Sequence, residues 1–285
     1  MTSEAVGEAI LPEGVPRFVV HSLRQSAHRY AVVVPVINEG VRIERQLMAM
    51  EKLPFPIDIV IADGGSDDGS VDPDKLARFR QVRAVLIKAD SGRLSAQLRM
   101  AYAWCLQNGY AGIVTVDGNG KDGVAAIADF FAKLDAGYDL VQGSRYVAGG
   151  VSENIPLDRY VAGRCIHAPL ISLASRRFWY TDTTNGFRAY SRNLLLDGRV
   201  APFRARFDRY QLLFYLSIRA PRLGFRVCEI PVERRYPANT ATPTKISGLR
   251  GRLSMLQELF DVAIGKYNPE RHRRVVAQDV VQGTR

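Results

Sequence analysis

Short apolar runs alternate with amphipathic segments along the first half of the chain. Runs of this length that end in polar turns are typical of buried strands. The predicted strands cover residues 31–37, 57–62, 83–88, 112–116 and 139–143. Between them, apolar residues at helical spacing predict helices over 41–52, 73–81, 91–108 and 122–136. This alternation predicts an α/β fold, with a mostly parallel sheet flanked by helices.

The pattern changes after residue 145. We predict helices over 157–177 and 207–220, an alternating strand over 225–233, and a Pro- and Thr-rich loop over 236–244. One apolar stripe from residue 246 to 266 predicts an amphipathic helix.

These segments predict one main domain with two extensions. We expect a loosely ordered N-terminus over 1–28, the main domain over 29–235, and a basic C-terminal loop, helix and tail over 236–285.

Polar residues follow three of the predicted strands. Asn38-Glu39, Asp63-Gly64-Gly65-Ser66 and Asp117-Gly118-Asn119 each come directly after an apolar run. In parallel sheets, ligands bind beyond the carboxyl ends of the strands. The sequence therefore predicts a ligand site at this edge of the sheet.

Composition excludes several classes of protein. With 285 residues, 47% hydrophobic and 24% charged, the chain suits one large globular domain and not a disordered one. No apolar run is long enough to span a bilayer, and no secretory signal is visible. The three cysteines lack metal-ligand spacing. We therefore expect a cytoplasmic protein of a reducing compartment, without structural zinc.

Charge is divided unevenly along the chain. Residues 1–144 carry 15 basic and 18 acidic side chains, whereas residues 145–285 carry 24 basic and 11 acidic ones. Arginine, which suits phosphate and carboxylate, supplies 32 of the 39 basic residues. This division favours an anionic partner for the second half. The basic residues form no long run and no nucleic-acid motif, so we expect no nucleic acid.

The glycine-rich turns are not those of common nucleotide-binding motifs. The chain has neither GxGxxG after its first predicted strand nor a Walker loop. A carboxylate at a strand end can accept hydrogen bonds from a ribose or a base, so we interpret Asp63, with Glu39 beside it, as functional. Asp67 and Asp68 are interpreted as caps of the turn.

Asp117 and Asn119 place two oxygen ligands in one glycine-flanked turn. Mg²⁺ and Mn²⁺ take such ligands while bridging a diphosphate. An Asn-Gly turn without metal explains the same residues almost as well.

Six motifs occur in the order seen in family 2 glycosyltransferases, which have the GT-A fold. The chain resembles most the polyprenyl-phosphate (dolichol-phosphate) sugar synthase branch, over residues 30–247. The motifs are PVINE (35–39), IADGGSDDGS (61–70), SGRLSA (91–96), TVDGNGKDG (115–123), VQGSRY (141–146) and TDTTNGFRAY (181–190).

The resemblance implies an inverting transfer of a sugar from a nucleoside-diphosphate sugar to a lipid phosphate or a glycan or glycolipid hydroxyl, as in cell-envelope biosynthesis. Asp117, with Asn119, would hold the metal, and Asp182 would be the catalytic base, needed for a hydroxyl acceptor but not for an ionised phosphate. The implied substrate-binding residues are Pro35, Glu39, Asp63, Gly92, Arg93, Gly143, Ser144, Arg145, Arg234, Arg235 and Lys245.

Three departures from the family pattern affect these expectations. Asn119 replaces a metal-binding carboxylate, and Lys121 stands where relatives often have glutamine, so that its ammonium could contact diphosphate. We still expect Mg²⁺ or Mn²⁺, with Asp122 as a compensating ligand. The membrane helices of many relatives are missing, and the basic half with helix 246–266 could lie on an anionic membrane surface. Packing of that helix on its own domain or in a homodimer is the alternative.

Two other functions stay open at this point. A sugar-nucleotide nucleotidyltransferase would need a Gly-rich, lysine-containing loop that is not seen after the first strand. A non-catalytic nucleotide-sugar-binding protein would suit the altered D-x-D motif, although Asp63, Asp117 and Asp182 are all present. For Asp182, a turn-capping role is the alternative to catalysis.

Overall fold

Ten strands and nine α-helices make up the part of the protein that the computed structural model describes, residues 11–236 and 248–270. The strands are β1 Phe18–Ser22, β2 Tyr30–Val36, β3 Asp58–Asp63, β4 Val82–Lys88, β5 Gly112–Thr115, β6 Leu140–Ser144, β7 Val151–Glu153, β8 Arg188–Ser191, β9 Val227–Pro231 and β10 Glu233–Arg235. The helices are α1 Val41–Glu51, α2 Pro73–Leu76, α3 Leu94–Gln107, α4 Ile127–Asp135, α5 Leu157–Val161, α6 Ala168–Ser175, α7 Arg192–Leu196, α8 Gln211–Arg222 and α9 Gly248–Ala263.

Eight strands form one sheet in the order β1-β4-β3-β2-β5-β8-β6-β9. Strands β2 to β5 are parallel to one another, as are β6 and β9, whereas β1 and β8 run antiparallel to their neighbours. The expected α/β fold with a mostly parallel sheet is confirmed. A second sheet pairs β10 with β7 in parallel.

The central strands are apolar because both of their faces are covered. Every residue of β2 and β3 is buried. Since successive side chains point to opposite faces, Val33 packs in the apolar cluster with α3 and α8, and Val32 packs in the cluster with α1 and α4.

The sequence pattern missed four strands, β1, β7, β8 and β10. β1 pairs antiparallel with β4 at the sheet edge, which corrects the expectation of a loosely ordered N-terminus for residues 18–22. β8 inserts antiparallel between β5 and β6. β7 and β8 have only three and four residues, too few for a clear periodicity. The division into three segments stays a prediction.

The helix predicted over 157–177 is observed as one continuous helical segment that is interrupted by a π-helical turn. α5 continues into a π-helical turn, Ala162–His167, and then into α6, which ends where Arg176 adopts φ +64°. The π-turn rotates side chains relative to a regular helix and is frequent at functional sites.

The C-terminal helix α9 packs on its own domain. Leu259 and Val262 are buried against the core that contains α6 and α8, while Leu253 and Phe260 are more than half exposed. The apolar stripe therefore splits between a packed face and an exposed one. In the described residues no helix is long and apolar enough to cross a membrane.

Candidate active site

The turns after β2 and β3 interlock at the carboxyl edge of the sheet. The amide of Asn38 donates to Ser66 Oγ (3.0 Å), and its side chain accepts from the amide of Asp67 (3.0 Å). The amide of Gly40 donates to Asp68 (2.9 Å). These bonds place Asn38-Glu39 beside the DGGSDDGS turn, as the strand ends predicted.

Asp63 organises this turn from within. Its buried carboxylate accepts from the Ser66 hydroxyl (2.6 Å) and from the amides of Gly65 and Ser66. Asp68 also caps the turn through the amides of Ser70 and Gly40, and hydrogen bonds, first of all from Ser70, lower its pKa. Asp63 therefore fixes the conformation of the turn after β3, which lies next to Glu39.

A side chain that sequence reasoning missed joins the two strand ends. Gln97, on α3, donates from Nε2 to the carbonyls of Val36 (2.8 Å) and Ala62. The amide of Gly64 also donates to the Val36 carbonyl (2.8 Å), so Gln97 adds a side-chain hydrogen bond at the point where β2 and β3 end. Only its position at the start of a buried helix could have indicated this role.

The 91–93 loop lies against Asp208, three residues before the start of α8. The Arg93 amide donates to Asp208 Oδ1 (3.1 Å), while the Arg93 side chain is exposed. Gly92 has φ +116°, and a Cβ there would lie 2.7 Å from Ala96 Cβ and 2.9 Å from Asp208 Oδ1. Only glycine suits this loop.

Asp117 lies beyond the end of β5, where the D-x-N motif places it. Its Oδ2 accepts from Arg234 Nη2 (3.0 Å) and from Asn119 Nδ2 (3.3 Å). Gly186 approaches so closely that a Cβ on it would lie 2.7 Å from Asp117 Oδ1. Asn119 Oδ1 in turn accepts from the amide of Lys121 (3.3 Å).

Arg234 connects this motif to Asp122. Its guanidinium is buried and donates from Nη1 to Asp122 Oδ2 (2.6 Å). Burial raises the pKa of Asp122 to about 6 in spite of this ion pair. Burial, together with the charge of Arg234, lowers the pKa of Lys121. Two acids and two cations thus share one half-buried site.

The donor set fits a hard divalent cation. Asp117 and Asn119 offer oxygen atoms, and Asp122 Oδ1 is buried without a hydrogen-bond partner in the described structure. Mg²⁺ and Mn²⁺ prefer such oxygen ligands. Within the described residues, no group of three or more His, Cys, Asp or Glu side chains is arranged for a metal, so a cation here would rely on one or two carboxylates and the substrate.

Asp182 is buried and held by Arg145. Arg145 Nε lies 2.7 Å from Oδ2, and Arg145 Nη2 lies 2.9 Å from Oδ1. The amides of Arg145 and Thr184 also donate to this carboxylate (both 3.2 Å). Burial alone would raise the pKa of Asp182, but the hydrogen bonds and charge of Arg145 outweigh it and lower the pKa.

Residues far apart in sequence fix the loop that carries Asp182. Glu229, on β9, accepts from the amides of Thr181 (2.9 Å) and Asp182 (3.0 Å). From the π-turn, Arg164 donates to the Thr181 carbonyl (2.8 Å), and His167 Nδ1 lies 2.8 Å from Thr183 Oγ1.

Arg188 holds the other end of this loop without a carboxylate partner in the described structure. Its buried guanidinium donates to the carbonyls of Thr183 (2.7 Å) and Asn185 (3.0 Å), and to the Leu213 carbonyl and Ser217 hydroxyl of α8 (both 3.0 Å). Neutral acceptors on two elements therefore tie the loop rigidly to α8.

Named relatives share about a quarter of their residues with this chain. Polyprenol monophosphomannose synthase of Mycolicibacterium smegmatis is 27% identical over 246 residues, which cover 79% of this chain and 89% of the relative. Undecaprenyl-phosphate mannosyltransferase of Micrococcus luteus is 26% identical, over 72% of this chain and 82% of its own. No protein-family model matches the chain.

Among solved structures, glucosyl-3-phosphoglycerate synthase from Mycobacterium tuberculosis, in complex with Mn²⁺, UDP and glucosyl-3-phosphoglycerate, superposes with a TM-score of 0.57. It shares 16% sequence identity, and the match covers 86% of this chain and 82% of that one. This likeness shows the fold. The chain is a GT-A glycosyltransferase similar to polyprenyl-phosphate sugar synthases.

In this glycosyltransferase, one tyrosine, Tyr236, lies in contact with four basic side chains of the site. The ring of Tyr236 lies 5.1 Å from Lys121 Nζ, 5.7 Å from Arg234 Cζ and 5.9 Å from Arg159 Cζ, and its hydroxyl lies 3.5 Å from Arg145 Nη1. Burial would raise the pKa of Tyr236, but the charges of Arg234 and Arg145 outweigh it and lower the pKa. Sequence reasoning missed Tyr236, Arg159 and Arg164, because no spacing rule links them.

Arg234 and Arg235 of the glycosyltransferase diverge. Adjacent strand residues point to opposite faces, so Arg234 reaches Asp117 whereas Arg235 is half exposed and pairs with Glu153 and Glu233 (3.2 Å). The structure thus brings Arg234 into the site and places Arg235 outside it. Lys245 lies outside the described residues.

Proposed function

We propose that this glycosyltransferase transfers a sugar from a nucleoside-diphosphate sugar to polyprenyl phosphate, with inversion at the anomeric carbon. The observation that carries the proposal is the ion pair of Asp182 with Arg145, 2.7 Å apart, beside the cations around Tyr236. An acceptor hydroxyl needs a general base, whereas a phosphate oxygen is already ionised at neutral pH. The names of the two relatives, which refer to polyprenol and undecaprenyl phosphate, support this acceptor class.

The nucleoside is proposed to bind at the edge formed by the turns after β2 and β3. Pro35 lies near the end of β2, Glu39 lies in the turn that follows the strand, and Asp63 shapes the facing turn. The 91–93 loop, with the exposed Arg93, closes the same edge. We propose that the diphosphate then lies toward Asp117 and Lys121, past the end of β5.

Mg²⁺ or Mn²⁺ would be held at this point by Asp117 and Asn119, with Asp122 near by. When bound, a divalent cation neutralises negative charge that develops on a leaving diphosphate. Lys121 and Arg234 add fixed positive charge on the same side. Preorganised cations that stabilise developing charge commonly contribute more to the rate of such transfers than any other single effect.

The acceptor phosphate is proposed to bind among Lys121, Arg159 and Arg164. None of these three side chains has a carboxylate within ion-pair distance among the described residues, and each lies 5.0 to 5.9 Å from a ring of Tyr146 or Tyr236. Cations left without a counter-ion favour an anionic ligand. The charge of Arg145 is already balanced by Asp182. Arg145 would therefore orient the phosphate by hydrogen bonds and contribute little to its electrostatic attraction.

A lipid-facing surface is proposed next to these cations. Leu157, Tyr160, Val161 and Ile166, on α5 and the π-turn, are 76%, 40%, 44% and 44% exposed. Arg159 and Arg164 lie on the same helical segment. An exposed apolar patch beside basic side chains fits a membrane surface that presents the phosphate of its lipid. The chain would then be peripheral to the membrane.

The decisive experiment uses an acceptor and its matched alcohol. Purified protein is incubated with a panel of nucleotide sugars, Mn²⁺, and either a short polyprenyl phosphate or the same polyprenol without phosphate. We expect nucleoside-diphosphate release and a glycosylated lipid only with the phosphate. Transfer to the alcohol at an equal rate would overturn the acceptor assignment. Pyrophosphate release would identify a nucleotidyltransferase instead.

Membrane association is tested separately by flotation. Anionic vesicles at low salt should carry the protein, and high salt should release it, because attraction of basic residues to anionic lipid is screened by salt. Equal flotation with neutral vesicles would contradict the basic surface. Leu157→Ser should weaken flotation, whereas Leu173→Ser, at an exposed apolar residue of α6, is the matched control.

A further inference from the structure

Arg234 pairs with one oxygen of each carboxylate on which a metal would depend. Its Nη2 lies 3.0 Å from Asp117 Oδ2, and its Nη1 lies 2.6 Å from Asp122 Oδ2. The guanidinium is buried, so water screens these pairs little. A divalent cation that binds Asp117 is therefore repelled by the positive charge of Arg234, which already pairs with this carboxylate.

The charges of Asp117, Asp122, Arg234 and Lys121 sum to zero before any ligand binds. With both acids ionised, Asp117 and Asp122 carry two negative charges; Arg234, which pairs with both acids, and Lys121, which pairs with neither, carry two positive charges. A divalent cation alone would leave two positive charges uncompensated in a half-buried site, which is unfavourable at low dielectric. A nucleoside diphosphate brings two to three negative charges, and these compensate the added metal.

We propose that Arg234 is an internal counter-cation that makes metal binding conditional on the donor diphosphate. In the ligand-free protein Arg234 competes with the metal for Asp117 and Asp122. When the diphosphate binds, its oxygens both coordinate the metal and accept hydrogen bonds from Arg234. Metal and diphosphate then each increase the affinity of the site for the other, as linkage requires.

This mechanism prevents the two acids from trapping free divalent cations. With a diphosphate supplying further ligands, Asn119 can serve as the second oxygen of the D-x-N motif. The inference rests on the proposed donor class, but its first test does not need the donor.

Mn²⁺ binding is measured at pH 8 from the electron paramagnetic resonance signal of free Mn²⁺, with no nucleotide, with UDP or GDP, and with UMP, and each titration is corrected for the Mn²⁺ that the same nucleotide binds without protein. In the wild-type protein, Mn²⁺ affinity should rise roughly 5- to 150-fold, the usual range of coupling, with a diphosphate. UMP should raise it much less. Equal Mn²⁺ affinity with and without UDP and GDP would contradict the coupling.

Arg234→Gln tests the competitor directly. Without nucleotide, this variant should bind Mn²⁺ more tightly than wild type, by a factor within the roughly 5- to 150-fold range that is usual for such coupling. Arg235→Gln removes the same charge from the exposed face of β10 and is the matched control for Mn²⁺ affinity. Unchanged or weaker Mn²⁺ binding by Arg234→Gln would overturn the inference.

Two further results keep the inference separate from folding and from the proposed function. Arg234→Lys keeps the charge and should bind Mn²⁺ alone as weakly as wild type, which covers the case in which Arg234→Gln is unstable. If no nucleoside diphosphate binds but Arg234→Gln still gains Mn²⁺ affinity, the competition by Arg234 holds and the donor assignment fails.

Discussion

Arg145 and Asp182 form a bidentate ion pair in which both side chains are at least 95% buried. The geometry gives Asp182 a structural partner for each of its oxygens. A carboxylate in this state, with a lowered pKa, accepts a proton poorly. Its clearest task is therefore to orient Arg145, and through Thr184 the loop that follows.

The ion pair predicts non-additive mutants. Removing one partner of a buried pair typically costs about 3–5 kcal/mol, because the other charge stays buried and unpaired. We therefore expect Arg145→Gln and Asp182→Asn each to lower the free energy of unfolding strongly, and the double variant to lose less than the sum. Urea unfolding of the four proteins measures this coupling.

The same variants separate orientation from base catalysis. With polyprenyl phosphate, Asp182→Asn should reduce the rate constant by less than the roughly 10²–10⁴-fold that loss of a general base causes. Donor affinity is measured alongside. A loss of 10⁴-fold with full donor binding and an intact fold would instead make Asp182 the base.

Asp117 should be essential for transfer and nearly dispensable for folding. Its side chain is 29% exposed, and Asp122 still pairs with Arg234 when Asp117 is absent. Asp117→Ala should lower kcat/KM at least about 10²-fold, as loss of a preorganised charge-stabilising group does. Asp74→Ala, at an exposed acid of α2, is the control. Unimpaired transfer by Asp117→Ala would remove Asp117 from the site.

Asn119→Asp is the complementary change. A second carboxylate restores a stronger oxygen ligand, so Mn²⁺ should bind more tightly and activity should depend on the metal at least as strongly as in wild type. Wild-type turnover that is unchanged in EDTA would show that Lys121 and Arg234 stabilise the leaving diphosphate without metal.

Substitution of two glycines with positive φ, Gly65 and Gly92, should lower the free energy of unfolding by different amounts. Gly65→Ala (φ +98°) introduces backbone strain only, because no atom lies within 4 Å of the new Cβ, and should cost about 1–3 kcal/mol. Gly92→Ala adds an overlap with Ala96 and should be less stable still. Urea unfolding compares them. Gly92→Ala should also lose thermal stabilisation by UDP or GDP, since the 91–93 loop would shift.

His167 makes stability depend on pH. Burial, with the nearby charge of Arg188, lowers its pKa to about 3, whereas in the unfolded chain it is about 6.5. A depressed histidine pKa means that the unfolded chain binds the proton first, so stability falls as pH falls from about 6.5 toward 3, by up to about 1.4 kcal/mol per pH unit.

His167→Gln removes this proton uptake. The difference in unfolding free energy between wild type and His167→Gln should change between pH 7 and 4 in favour of the variant. His21→Gln, at a partly exposed histidine of β1, should track the wild type. Parallel pH curves for wild type and His167→Gln would show that His167 titrates normally.

The sequence by itself determined the parts of this protein that local pattern encodes. Buried parallel strands must be apolar throughout, and β2, β3 and β5 lie within one residue of their predicted starts. Polar turns that follow such strands must meet at one sheet edge, which predicted the neighbourhood of Glu39, Asp63 and Asp117. Turn chemistry also distinguished Asp68 as a cap.

Only the tertiary structure decided which charges pair. Arg145 and Asp182 are 37 residues apart, and Arg234 and Asp117 are 117 apart. No periodicity links such residues, since their distance depends on how β10 pairs with β7 and on how closely the 181–186 loop approaches Asp117. For the same reason the sequence predicted Arg234 and Arg235 together, whereas the pleat of β10 separates them. Local propensity places side chains on elements, and the contacts that give them chemistry come from how those elements pack.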